Sequence, residues 1–131
     1  AAQRLHYLYL ELAKLIKYYH PADVAIEEPF VAKNVLSAMA VGRVEAIAML
    51  AAADEGIPVC SYTPAQIKRA VTNYGNARKE QVQEMVRLQL GLASAPQPDD
   101  AADALAVAIC HLQQTKLARL VAEADRDIEN R

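Results

Sequence analysis

The order of apolar patterns along the chain predicts a helix-rich α/β protein with a short parallel pair of strands. Two runs, Asp23-Val24-Ala25-Ile26-Glu27-Glu28 and Ile57 to Tyr62, are short, apolar and bounded by turn residues, which fits buried strands better than helices. Around them apolar residues recur at helical spacing. A strand, a crossover helix and a second strand form the unit whose strands lie parallel. With 131 residues, 53% of them hydrophobic, the chain can build one core, so residues 1–131 are expected to form a single domain.

The first helix is expected from about Gln3 to Tyr19, because Leu5, Leu8, Leu12, Leu15 and Tyr19 share a face and Pro21 ends it. After the strand closed by Pro29, a helix from Asn34 to Asp54 is apolar on most of its circumference, with Gly56 at its C-cap. Such a helix is buried either by its own core or by a partner subunit. Thr63-Pro64-Ala65-Gln66 reads as a cap, a first-turn proline and a capping-box glutamine, opening a short helix that ends near Val71. Arg78 to Leu90 forms another helix, stopped by Gly91, and the last begins at Asp99 or Asp100 and runs at least to Gln114.

The formal charge of −2 excludes a generally basic nucleic-acid binder, but the distribution is uneven. From Gln66 to Leu90 the cations Lys68, Arg69, Arg78, Lys79 and Arg87 outnumber Glu80 and Glu84. Cys60 and Cys110 are isolated and fit packed thiols in a reducing cytoplasm. No uninterrupted apolar run spans a bilayer and no signal peptide is visible, so no membrane association is expected. No Gly-rich phosphate loop and no Ser-His-Asp order stand out. His111 lies about three turns, ~16 Å, beyond Asp100 and cannot share a metal with it.

The chemistry concentrates in Asp99-Asp100-Ala101-Ala102-Asp103-Ala104-Leu105. Asp100 and Asp103 fall one turn apart on one helix face, and two such charges repel unless a cation joins them. First-turn carboxylates also cap helices and complement their dipole, which stays open as the plainer reading. Asp99 points about 100° away from Asp100 and is expected as the cap. Glu27 ends the first strand, where ligands gather in open α/β sheets. A glutamate meeting Asp-x-x-Asp supplies hard oxygens suited to Mg2+ or Mn2+ and to metal-assisted phosphoryl transfer. For Glu27 alone, an ordinary charged residue at a loop mouth is the alternative.

Val24-Ala25-Ile26-Glu27, Phe30-Val31-Ala32-Lys33-Asn34, Gly42-Arg43, Ile57-Pro58-Val59, Gln66-Ile67-Lys68, Lys79 to Val86 and Asp100 to Ala106 together resemble the RuvC family of Holliday junction resolvases, in order and approximate spacing. The resemblance implies an RNase H-like fold, here truncated at the N-terminus: the family's first three strands, with a Gly-Ile-Asp-Pro-Gly-type motif and a fourth metal-binding carboxylate, do not occur in this sequence. It implies catalytic, metal-binding roles for Glu27, Asp100 and Asp103, with Mg2+ as cofactor and Mn2+ as the alternative. It implies DNA contacts for Phe30, Lys33, Lys68 and Lys79. Phe30 could equally anchor its loop in the core, and Arg69 and Arg78 could be plain solvated cations.

The implied function is a cytoplasmic, Mg2+-dependent endonuclease that resolves Holliday junctions in DNA recombination and repair. Its implied partners are four-way junction DNA, a second copy in a homodimer, and a branch-migration complex of the RuvA and RuvB type. Without the fourth carboxylate the chain as given is expected to be inactive. The alternative is a non-catalytic DNA-binding or dimerisation module derived from such a nuclease; another RNase H-like nuclease with a different substrate is a third reading.

Overall fold

The computed structural model describes residues 1–28 and 35–131. The order is α1 (Ala2–Tyr19), β1 (Val24–Glu27), α2 (Val35–Asp54), β2 (Val59–Tyr62), α3 (Pro64–Thr72), α4 (Lys79–Leu90) and α5 (Asp99–Glu129). The helix-rich α/β frame with one parallel strand pair is as expected. Backbone contacts divide it into two compact units, Ala1–Pro64 and Ala65–Arg131.

In the first unit, β1 and β2 pair in parallel, with Val24 opposite Val59 and Glu27 opposite Tyr62. Backbone bonds continue the ladder at both ends, from Val24 N–H to the Pro58 carbonyl at 2.9 Å and from Glu28 N–H to the Tyr62 carbonyl at 2.8 Å. Ile16 of α1 packs with Ala51 and Ala52 of α2, flanked by Tyr9, Leu12, Val24, Ile57 and Val59. Alanines at that seam let the two helix backbones approach closely, because no long side chain holds them apart. The Tyr9 hydroxyl donates to Asp54 near the end of α2. α1 stops where His20 turns left-handed and its N–H returns to the Ile16 carbonyl, just before Pro21.

Two expectations change in this unit. β1 is only half-buried and Glu27 is exposed, because among the described residues a two-stranded sheet covers little of either face. α2 buries only Ala51 and Ala52; Val35, Leu36, Met39, Val41, Val44, Met49 and Leu50 are exposed, Leu36 at 79%. By length and composition α2 also comes nearer to a membrane span than expected, although Arg43 and Glu45 interrupt its middle.

The second unit is helical. α3 buries Ile67 and Val71, α4 buries Val82 and Val86, and α5 buries Ala102, Ala106, Val107, Ile109 and Cys110. On each helix these positions recur at three- and four-residue spacing, the stripe that faces a core. Side chains also tie the helices together: Gln89 Nε2 donates to the Val71 carbonyl at 2.9 Å, and the Cys110 thiol points at the Gln66 carbonyl at 3.8 Å. α4 closes at Gly91, whose φ of 66° suits a residue without Cβ. The following Leu92 N–H reaches back to the Arg87 carbonyl at 2.9 Å. Burial along α5 ends at Cys110 while the helix continues to Glu129.

Candidate metal and DNA site

α5 starts after Pro98, the N-cap residue, which contributes no side-chain capping bond. Asp99 therefore sits inside the first turn rather than at the cap, and the expectation of a capping aspartate is corrected. A proline fixes the extended entry to the helix without a side-chain acceptor. The carboxylates of Asp99 and Asp100 instead complement the positive end of the helix dipole. Asp103 follows one turn later, half-buried, next to buried Ala102 and Ala106.

α4 brings its first residue to this place. The backbone turns into α4 at Arg78, whose N–H donates to Gln81 Oε1 at 2.8 Å. From there Lys79 extends its ammonium to within 3.4 Å of Asp99 Oδ2, with both side chains about half exposed at 52%. The Lys79 pKa is raised, first by the negative charge of Asp103, then by the Asp99 hydrogen bond and charge, with a further contribution from Asp100. Three carboxylates thus already stabilise one cation at the start of α5. Hard, anionic oxygens of this kind are the donor set that divalent magnesium or manganese prefers.

Asp100 and Asp103 stand as a pair within the second unit, while Glu27 belongs to the first at the end of β1. Among the described residues no group of three or more His, Cys, Asp or Glu is arranged to hold a metal ion. Phe30 and Lys33 lie outside the described residues. Lys68 is on α3, half-buried, one turn before Thr72.

Thr72 organises the loop between α3 and α4. Its hydroxyl contacts the Lys68 carbonyl at 2.7 Å and the Tyr74 carbonyl at 3.1 Å, and it accepts from the Tyr74 N–H at 3.1 Å. Ala77 N–H closes the turn onto the Tyr74 carbonyl at 3.1 Å. The loop backbone is therefore tied down while the Tyr74 side chain stays exposed. The Arg69 guanidinium lies against Gly75, where an added Cβ would come within 3.2 Å of Nη2.

Carboxylate oxygens beside a solvent-facing lysine, on an α/β frame, are the equipment of a nuclease, and likeness to known proteins bears out the class: an endodeoxyribonuclease, a hydrolase acting on DNA. The family model described as Crossover junction endodeoxyribonuclease RuvC matches residues 1–111, and the chain belongs to that family. A relative of the same description from Dehalococcoides mccartyi is 54% identical over 123 residues, covering 94% of this chain and 74% of the relative. Another, from Roseiflexus sp., is 52% identical over 122 residues, covering 93% and 73%. Among solved structures, Thermus thermophilus RuvC superposes with a TM-score of 0.82 at 35% identity, over 88% of this chain and 70% of that one. The same protein in complex with Holliday junction substrate gives 0.83 at the same identity and coverage. The RNase H-like fold expected from the sequence is thereby established.

Proposed function

We propose that this chain acts on four-way DNA junctions as a divalent-metal-dependent endonuclease, with Glu27, Asp100 and Asp103 as the metal-binding carboxylates and Mg2+ as the ion. The observation that carries the reading is the match to the RuvC family over residues 1–111, with Asp100 and Asp103 in the opening turns of α5. Similarity to a RuvC solved with Holliday junction substrate supports the choice of DNA. A bound divalent ion supplies Lewis-acid stabilisation of charge at the scissile phosphate. Asp100 and Asp103 would hold it, and the helix N-terminus behind them would favour the anionic phosphate. Lys68 and Lys79 would contact phosphate oxygens, which sets register without reading sequence. DNA contact by Phe30 and Lys33, which lie outside the described residues, belongs to the same proposal.

The exposed apolar face of α2 supports a homodimer, since contiguous apolar surface of this kind marks association sites. A branch-migration complex of the RuvA and RuvB type, and a place beside the chromosome in the cytoplasm, complete the reading. Residues 1–131 hold three of the four carboxylates that the family resemblance implies, so alone they are expected to bind junctions and cut them poorly.

The test is a four-way junction assay, with binding followed in Ca2+ and incision in Mg2+. Asp100→Asn and Asp103→Asn, made in a form that cuts, are expected to lower the incision rate at least a hundredfold while binding changes less than about threefold. Wild-type-like incision by either variant refutes the carboxylate assignment. Equal affinity for junction and linear duplex refutes the junction assignment.

A further inference from the structure

The outer part of α5 carries an apolar stripe that the described residues leave uncovered. Every residue from Leu112 to Arg131 is exposed, and the family match ends at residue 111. At about 100° per residue, Leu117, Leu120, Val121, Ala124 and Ile128 fall within about 60° of one line along the helix. That line prolongs the face on which Ala102, Ala106 and Cys110 are buried; Gln113 and Gln114 interrupt it, and Leu112 faces away. We propose that this stripe pairs antiparallel with the same stripe of a second copy, as a short two-helix coiled coil whose two-fold axis passes between Ala122 and Glu123. The inference is independent of the metal-site reading and of α2.

Spacing, charge and length choose this occupant and this direction. Leu117, Val121, Ala124 and Ile128 alternate steps of four and three, the rhythm of a coiled-coil seam. The rhythm reads the same from either end. Turned about that axis, Leu117 meets Ile128 of the partner subunit and Val121 meets Ala124 of the partner subunit, with the bulkier pairs outside and the slimmer ones at the centre. From Leu112 to Val121 the charges are Lys116 and Arg119; from Ala122 to Arg131 the acids Glu123, Asp125, Asp127 and Glu129 outnumber Arg126 and Arg131. Among the described residues none of these charges is in an ion pair. An antiparallel neighbour lays each basic half on an acidic half, whereas a parallel one stacks like on like. Lys116 and Asp127 share one flank of the stripe, so each faces the other's counterpart across the pair. Arg131 of the partner subunit falls opposite Gln114, so the second helix stops short of Cys110, the last buried position of α5. The packed half already holds α5 helical and removes the nucleation cost that an isolated peptide bears. The seam is only about two and a half heptads long, so the contact is weak, with a Kd on the order of 100 µM.

The test uses the full chain with Leu36→Glu, so that α2 adds no association, and Cys60→Ser, so that the half-exposed thiol does not compete. Leu117→Cys and Ile128→Cys are made separately in that background and mixed under mild oxidation. The mixed 117–128 disulfide is expected to form about tenfold faster than either same-site disulfide, because the proposed layers bring those backbones within bridging reach. Faster same-site linkage means a parallel contact, and equal rates for all three mean an unspecific one; either overturns the inference. No linkage at millimolar chain overturns it too and leaves the stripe to a partner of another kind. Sedimentation gives the second readout. Val121→Glu is expected to weaken self-association about tenfold or more, since it places a carboxylate in the central layer. Arg126→Gln, on the opposite side of the helix, is expected to change it less than about threefold. Self-association unchanged by Val121→Glu overturns the proposal. Circular dichroism checks that each variant is folded, which is expected because all the substituted positions of α5 are exposed.

Discussion

Val86 is fully buried on α4, at 0% exposure, two turns after Lys79 on the helix that delivers that lysine to α5. Val86→Ala removes two carbons from this interior. At about 0.8 kcal/mol per buried methylene the transfer loss is roughly 1.6 kcal/mol. An unfilled cavity adds about 24 cal/mol per Å3, and partial collapse of α4 onto α5 limits that increment to under about 1 kcal/mol. The expected destabilisation is therefore about 2 to 2.5 kcal/mol, read as a lower urea midpoint with an unchanged slope. Leu88→Ala, at an exposed position on the same helix, serves as the control and should cost less than about 0.5 kcal/mol. A Val86→Ala loss no greater than that of Leu88→Ala would mean that α4 is not seated on α5 by this side chain. The packing account of how Lys79 reaches Asp99 would then be wrong.

Leu36→Glu on the exposed face of α2 is expected to turn a dimer into a monomer in sedimentation, because an unpaired carboxylate would be desolvated at the interface. A dimer of unchanged affinity would place association elsewhere. The buried Cys110 thiol is raised above its ordinary pKa by burial, so iodoacetamide is expected to modify half-exposed Cys60 well before it. The linkage sign follows: above the unfolded thiol's ordinary value of 9.0, the unfolded chain gives up a proton that the folded chain keeps. Stability should therefore fall as pH rises past that value, and Cys110→Ala should flatten this limb of the pH profile.

Among the described residues every helix and both strands were legible in the sequence, since punctuation and periodicity are local: Pro21, Gly56, Pro64 and Gly91 each stand within two residues of an observed boundary. Family membership was legible as well, because it lay in the ordered set of motifs rather than in any one of them. Asp99 was not. Its chain position near a helix start fits a cap, and its partner Lys79 lies on another helix, so only the packing of α4 on α5 reveals the pair. The exposure of Glu27 and of most of α2 was equally hidden. An apolar run predicts a wish for burial, but what covers it depends on neighbours that sequence spacing does not name. The tying of the Tyr74 loop by Thr72 could have been suspected from a threonine beside Asn73 and Gly75, a combination typical of side-chain-stabilised turns.

α5 is 31 residues long, about 46 Å at the usual helical rise, and carries the carboxylate pair in its opening turns. Its other half, beyond the last packed residue, rises clear of the bundle like a mast from a deck. A pivot of about five degrees at the base would swing the tip by ~2.5 Å, since some 28 Å of helix lies beyond Cys110. A load on that mast reaches the turn where the aspartates stand only through the packed positions from Ala102 to Cys110.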